Sequence, residues 1–445
     1  MDENVRIIDA RKEGTPDNRS TMYIAGDFTL SSVRAEPSPT TFVSEVVRDR
    51  IRSADVSLVN YEGVTATGLE PAFKGGPLVE IDKRCPNLLA ETGFTGVTLA
   101  NNHVVDYGPE GILETTERCR DAGLDTLGTG ENVQEAISPA RFSLGDTTVS
   151  VFNFSENPIH SYAIDDSNPS IADISHPGLI QKITEEKRNA DVLIAVAHAG
   201  FMWVPIPPAQ LQQRYRRFLD LGVDVVVGHH PHVPQGWEAY EDGVIFYSLG
   251  NFLYDRAGRQ TSHPEKWGLA LELSFGSGSV ESVGIIPLEV VDRRVHPLGG
   301  NRSYRKHIDR LERMSDVVED QEELAAMWMV LADKYFGDKR DEIVNDPEVF
   351  LYRVIWPSHQ AMLETALLRR AADMDVPVSV RKEALRMWRW SNVDPFETRS
   401  TKIFKKLART AYSGPIRYFS HETGLHPHIL SFYRSARDNL RRREK

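Results

Sequence analysis

Residues 222–235 read GVDVVVGHHPHVPQ. The strand read over Asp224 to Val227 is apolar after its first residue, without polar alternation. That pattern fits a strand covered on both faces, as in a parallel sheet flanked by helices. A glycine ends the strand, and His229, His230 and His232 follow at once. Pro231 fixes φ between the last two, so a rigid loop presents both rings to one point. In α/β sheets ligands gather beyond the carboxyl ends of strands, and neutral imidazole is a frequent ligand for divalent metals. Taken alone, this stretch leaves a chance histidine run in a surface loop as the rival reading.

The same arrangement recurs outward from this point. Residues 22–30 (MYIAGDFTL), 55–60 (DVSLVN), 95–100 (TGVTLA) and 191–197 predict strands, as do 148–154, 244–249 and 269–275. Helical spacing marks 42–51 and 86–92 between them. Strand and helix alternate over the first 300 residues or so, which predicts an α/β domain. Asp27 lies near the end of the first strand, and Asn60 and Glu62 at the end of the second. Asn101, Asn102, His103 and Asp106 follow the third, and His198 ends a later one. Individually these read as turn residues, helix caps or structural histidines. Five strands delivering imidazole, carboxylate and carboxamide to one edge together describe a metal site built from N and O donors. A second His-Pro-His, His426 to His428, has no strand before it and reads as structural or incidental.

Composition narrows the class. The 445 residues carry 52 basic and 64 acidic side chains, a net charge of −12, with 40% hydrophobic residues. This is globular composition. Two cysteines, Cys85 and Cys119, exclude a disulfide scaffold and a zinc–thiolate cage. No apolar run approaches the ~18–20 residues of a membrane span, and residues 1–20 contain no apolar stretch typical of a signal peptide. The expected location is cytoplasmic. The expected division is an N-terminal extension (1–20), an α/β domain (21–300) and a helical C-terminal region (301–445), with helices over 322–335, 360–372 and 379–390. Residues 402–445 carry net charge +8. They read either as a peripheral contact with an anionic membrane or as a solvated helix face. No nucleic-acid partner is expected, because the rest of the chain is acidic and no recognition motif occurs.

The strings GDF (26–28), NYEG (60–63), LANNHVVDYG (99–108), GTGENVQEAISP (128–139), AHAG (197–200), GVDVVVGHHPHVPQ (222–235) and YSLGNF (247–252) resemble the CapA family. These are poly-γ-glutamate capsule synthesis proteins related to the calcineurin-like metallophosphoesterases. The resemblance runs in order over about 22–290. It implies a four-layer sandwich, two mixed β-sheets flanked by helices, with metal at one edge. By the resemblance Asp27, Asn102, His198, His230 and His232 are metal ligands, and Glu62 stands where the phosphoesterases have a bridging aspartate. Asn60 and His229 lie close by as supporting groups. His103 matches the catalytic histidine, with Asp106 orienting it through its other ring nitrogen. Two departures stand out. Thr29 occupies the position of a first-strand histidine ligand, and Glu62 is one methylene longer than aspartate.

The expected activity is hydrolysis of a phosphoester or related ester, assisted by one or two divalent ions (Mn, Fe or Zn), with His103 as general acid. The substrate is an anionic small molecule or polymer linked to capsule synthesis. Two alternatives stay open: a non-catalytic polymer-binding component with a degenerate site, and a γ-glutamyl amide hydrolase. Phe201, Trp203 and Pro205 are expected at the site entrance, and Arg256 is read either as an anion contact or as a surface salt bridge.

Overall fold

Strands that are apolar on both faces need cover on both faces, and two stacked sheets with outer helices supply it. The computed structural model describes residues 6–8, 19–31, 42–72, 78–156, 167–255, 266–345 and 377–391. Among these, nine strands form the first sheet. They are β1 (Arg6–Ile8), β2 (Ser20–Leu30), β3 (Val56–Tyr61), β4 (Gly96–Thr98), β5 (Asp125–Leu127), β14 (Asn251–Asp255), β15 (Trp267–Gly276), β16 (Ser279–Val291) and β17 (Arg294–Pro297). Their order is β1-β16-β15-β2-β3-β4-β5, with β14 beside β2 and β17 beside β16. The second sheet runs β12 (Trp237–Tyr240), β13 (Gly243–Phe246), β11 (Val225–His229), β10 (Val192–His198), β8 (Thr147–Ser155), β7 (Ala140–Leu144). A short pair, β6 (Thr129–Gly130) and β9 (Ser170–Ile171), lies apart.

Side-chain alternation along each strand builds the layers. Ile24 and Leu58 of the first sheet meet Val151, Ile194, Val196 and Val227 of the second in one apolar cluster between the sheets. The opposite face of the first sheet, with Tyr23, Val59 and Val97, packs on Val47, Ile51, Leu88 and Leu89. Those four belong to helices Glu45–Ser53 and Cys85–Thr92. The opposite face of the second, with Leu193, Ala195 and Val226, packs on Leu179, Ile183, Leu211 and Tyr215, from helices Pro177–Glu186 and Ala209–Asp220. The order is helix, sheet, sheet, helix.

Parallel pairing joins β2, β3, β4 and β5 in the first sheet and β8, β10, β11 and β13 in the second. The carboxyl ends of these strands bring the predicted site residues to one edge. Helices Asn301–Glu319, Gln321–Asn345 and Val378–Ser391 follow the last strand. Leu311, Met314, Val317, Leu324, Met327 and Trp328 join the cluster between the sheets. Helix Asn301–Glu319 approaches so closely that a Cβ at Gly236 would lie 2.5 Å from the Ser315 backbone nitrogen, while the Ser315 hydroxyl accepts from the Trp237 N–H at 2.9 Å. The expected helix over 360–372, the basic segment 402–445 with His426 to His428, and Arg256 lie outside the described residues. No helix among the described residues is long and apolar enough to cross a membrane.

Candidate metal centre

Asp27 reaches the edge through a bulge in β2, where the register with β3 shifts between Ala25 and Asp27. The neighbouring chain passes so near that a Cβ at Gly26 would sit 2.2 Å from the Gly250 carbonyl oxygen. Only glycine permits this approach, and it lets the Asp27 N–H donate to that carbonyl at 2.9 Å. Asp27 Oδ1 accepts from Asn60 Nδ2 at 2.8 Å and from His229 Nδ1 at 2.9 Å, and Oδ2 lies 3.3 Å from His232 Nδ1. Burial pushes the Asp27 carboxyl up, but the His229 and His232 hydrogen bonds outweigh it and hold the group well below the carboxylate range.

In the loop after β4 two adjacent asparagines divide their tasks. Asn101 clamps the turn: its Oδ1 accepts from the His103 and Val104 N–H groups, and its Nδ2 donates to the Tyr61 carbonyl. Asn102 turns inward, its Oδ1 2.8 Å from His198 Nε2. His103 Nδ1 lies 3.0 Å from Asp106 Oδ2, which also accepts the Val79 N–H, so the ring presents Nε2 toward Glu62 Oε1 at 3.9 Å.

The loop after β11 holds non-glycine residues in the left-handed region, His230 at φ 95° and His232 at φ 58°. Such backbone costs on the order of 1–3 kcal/mol per residue and persists where its surroundings impose it. Here the His230 N–H donates to Asp27 Oδ2 at 3.3 Å, and the Pro231 carbonyl accepts from the Trp203 N–H at 2.9 Å. His230 Nδ1 faces His198 Nε2 at 3.2 Å. Burial depresses both imidazoles well below the usual histidine range, and neighbouring rings add to this at His230. Both are therefore neutral and carry lone pairs. At His232 burial acts downward, but Glu62 and Asp27 outweigh it and raise the group.

Glu62 is the centre of the arrangement. Its Oε1 lies 3.8 Å from His198 Nε2 and 3.5 Å from His232 Nε2. Glu62, His198 and His230 bring one ligand atom each within 4.8 Å of one another, and so do Asp27, Glu62 and His232. The two trios share Glu62. Buried carboxylates and imidazoles converging without any Lys or Arg among these trios fit one or two divalent cations. Thr29 supplies no ligand, because its hydroxyl donates to the Glu62 carbonyl at 2.6 Å. All ten expected residues, Asp27, Asn60, Glu62, Asn102, His103, Asp106, His198, His229, His230 and His232, occupy this edge. Asn60 links Asp27 to His198, its Nδ2 lying 3.2 Å from His198 Nδ1.

Three further residues shape the centre. Asn251 Oδ1 lies 2.9 Å from His232 Nδ1. The His232 ring stacks on Trp203, centroids 4.9 Å apart, and meets Tyr254 at 4.5 Å. Asn251 and Tyr254 enter through β14, whose sequence signal is the asparagine directly after Gly250. Of the expected entrance residues, Trp203 lies against the His232 ring, and all three, Phe201, Trp203 and Pro205, are buried. Phe201 packs edge-on against Trp328 at 6.4 Å, because the loop after β10 folds inward under the C-terminal helices.

The fold and the site define an α/β sandwich with a buried edge of carboxylate and imidazole donors at the carboxyl ends of its parallel strands. A family model described as bacterial capsule synthesis protein PGA_cap matches residues 21–256, and the chain belongs to that family. The capsule biosynthesis protein CapA of Bacillus anthracis is 29% identical over 224 residues, which cover 48% of this chain and 54% of that protein. The PGA biosynthesis protein CapA of Bacillus subtilis (strain 168) is 30% identical over 184 residues, 41% of this chain and 48% of that protein. The match thus spans about half the length of these relatives. Among solved structures, a 5'-nucleotidase precursor from Thermus thermophilus aligns with TM-score 0.38 and 10% identity, over 73% of this chain and 68% of that one.

Proposed function

We propose that the chain is a metal-dependent hydrolase of phosphoesters or related esters that serves the synthesis of a polyglutamate capsule. The observation that carries this reading is the pair of ligand trios sharing Glu62. His198, His230 and Glu62, with Asn102 beside them, would hold one ion, and Asp27, Glu62 and His232 a second. When bound, a divalent cation supplies Lewis acidity, making water a nucleophile near neutral pH and offsetting charge on phosphoryl oxygens. Asn60 and His229 keep the Asp27 carboxylate ionised and oriented. Asp106 holds His103 through Nδ1 and stabilises its protonated form, leaving Nε2 to donate a proton to the leaving oxygen. Asn102 would donate through its Nδ2 to an anionic oxygen of the substrate.

A second reading is a non-catalytic polymer-binding component, favoured by one observation. The Thr29 hydroxyl is spent on the Glu62 carbonyl, so the Asp27 trio has a single imidazole.

Metal content by mass spectrometry, combined with turnover of generic phosphoesters, separates the two. The wild type is expected to hold one or two transition-metal ions per chain, and His230→Ala to lose occupancy. His103→Ala should retain the metal and lose turnover by ~10²–10⁴-fold. Full metal content in His230→Ala removes the assignment of that ligand. A metal-loaded wild type without turnover leaves the binding component.

A further inference from the structure

The helices beyond the sandwich carry a second concentration of charge. A cavity of about 720 Å³ between helices Asn301–Glu319 and Val378–Ser391 is lined by Arg302, Arg305, Lys306, Arg310, Arg313 and Arg386, with Asp309 as the one acid among the described lining residues. The spacing from 302 to 313 puts the first five on one helical face. The opposite face is apolar, with Ile308, Leu311 and Met314 buried, and it fixes the stripe outward.

Arg313 and Arg386 are held from behind. Arg313 pairs with Glu323 at 2.6 Å and, across the groove, with Glu383 at 3.5 Å, and Glu383 also takes Arg386 at 2.6 Å. These pairs join three helices and set the width of the groove. Arg302, Arg305 and Lys306 make no ion pair among the described residues. Burial pushes the Arg310 guanidinium below its ordinary value.

We infer that this groove binds a polyanionic chain bearing carboxylates, of the poly-γ-glutamate type, at a site separate from the metal centre. Cations one helical turn apart, ~5 Å along the axis, suit a ligand with repeating charge better than a single small anion. Guanidinium forks pair with carboxylates in bidentate geometry. The described lining has no aromatic side chain, so nucleic-acid bases find no stacking platform. It also has no apolar residue to enter a lipid surface. The choice of polymer rests on the proposed function, whereas the anion-binding groove rests on its own geometry.

The test is fluorescence anisotropy of a labelled poly-γ-glutamate oligomer with the full chain, repeated with polyphosphate. Substituting Arg302→Glu, Arg305→Glu and Lys306→Glu together should weaken polyglutamate binding by at least about tenfold, with circular dichroism and metal content unchanged. A milder variant, Arg302→Gln with Lys306→Gln, should weaken it less and serves if charge reversal disturbs folding. His230→Ala should bind the polymer as the wild type does. Wild-type affinity in the charge-altered variants overturns the inference, and so does tighter binding of polyphosphate than of polyglutamate. Polymer binding that follows His230 rather than the three cations places the polymer at the metal centre and also overturns it. Absence of phosphoester turnover would refute the hydrolase reading while leaving the anisotropy result to decide the groove.

Discussion

His232 shows how much of the centre is decided by groups that ligate nothing. Its ring is held between Trp203 and Tyr254, its Nδ1 lies within reach of both Asn251 and Asp27, and its Nε2 faces Glu62. Trp203 itself sits at φ 67°, an unusual conformation for a bulky residue, tied down by its N–H bond to Pro231. Trp203→Leu is expected to lower metal affinity by about tenfold or more, the range seen when supporting groups of metal ligands are removed. Trp203→Phe, which keeps a stacking face, should retain most of it. Titration of apo-protein with Zn²⁺ against a competing chelator measures both, and equal affinities in Leu and Phe variants would show that stacking is irrelevant. The ligand candidates themselves were legible, because each follows an apolar strand directly. Trp203, Asn251 and Tyr254 were not legible as partners of His232. Their meeting depends on β10, β11 and β14 being brought together by sheet pairing, which leaves no trace in local spacing.

At the level of elements, the buried parallel strands were readable from their continuous valine, leucine and isoleucine runs. The strands that escaped are mostly those in hairpins and at edges. β7 alternates half-buried and exposed positions in a short span, and β16 opens with Ser-Val-Glu-Ser before its apolar half. Their turns carry the signal instead: Ser277 and Gly278 between β15 and β16, and Asp292 and Arg293 between β16 and β17, all have positive φ. The strand expected over 244–249 ends at Phe246, since Leu249 bridges back to Pro234 before β14 begins. The edge strand β7 is fastened to helix Pro177–Glu186 by a two-pronged ion pair. Arg141 Nε and Nη2 each lie 2.6 Å from a Glu186 oxygen, and the Ser150 hydroxyl donates to the same carboxylate. The Arg141 hydrogen bonds, acting against burial and helped by Ser150, hold the Glu186 carboxyl below its ordinary value. Because the folded-state value is the lower one, this group contributes stability above the unfolded carboxyl value of about 4.3. That contribution falls away as pH drops through the folded value. Thermal melts between neutral and acidic pH should therefore show a smaller acid loss in Glu186→Gln than in the wild type. Identical pH slopes would remove Glu186 from the acid-sensitive groups.

Across the whole molecule, the C-terminal helices complete the core that supports the site. Trp328 is 2% exposed and meets Phe201, three residues beyond His198. Trp328→Ala should cost about 3–5 kcal/mol in chemical denaturation, and a loss below about 1 kcal/mol would mean that the helix is not joined to the core as described. Composition, strand continuity and the polar residues beyond strand ends were enough to predict an α/β class and candidate N and O donors at one edge, because both signals are local, whereas the roles given to single residues came from the resemblance to the CapA family. The charge stripe from Arg302 to Arg313 was equally present in the chain, but its groove exists only where Val378–Ser391 lies beside it. What the tertiary structure alone decided is geometry: which trios share Glu62, which rings clamp His232, and where cations face each other across a cleft. Those contacts join residues far apart in sequence, and packing between layers, rather than periodicity within a segment, determines them.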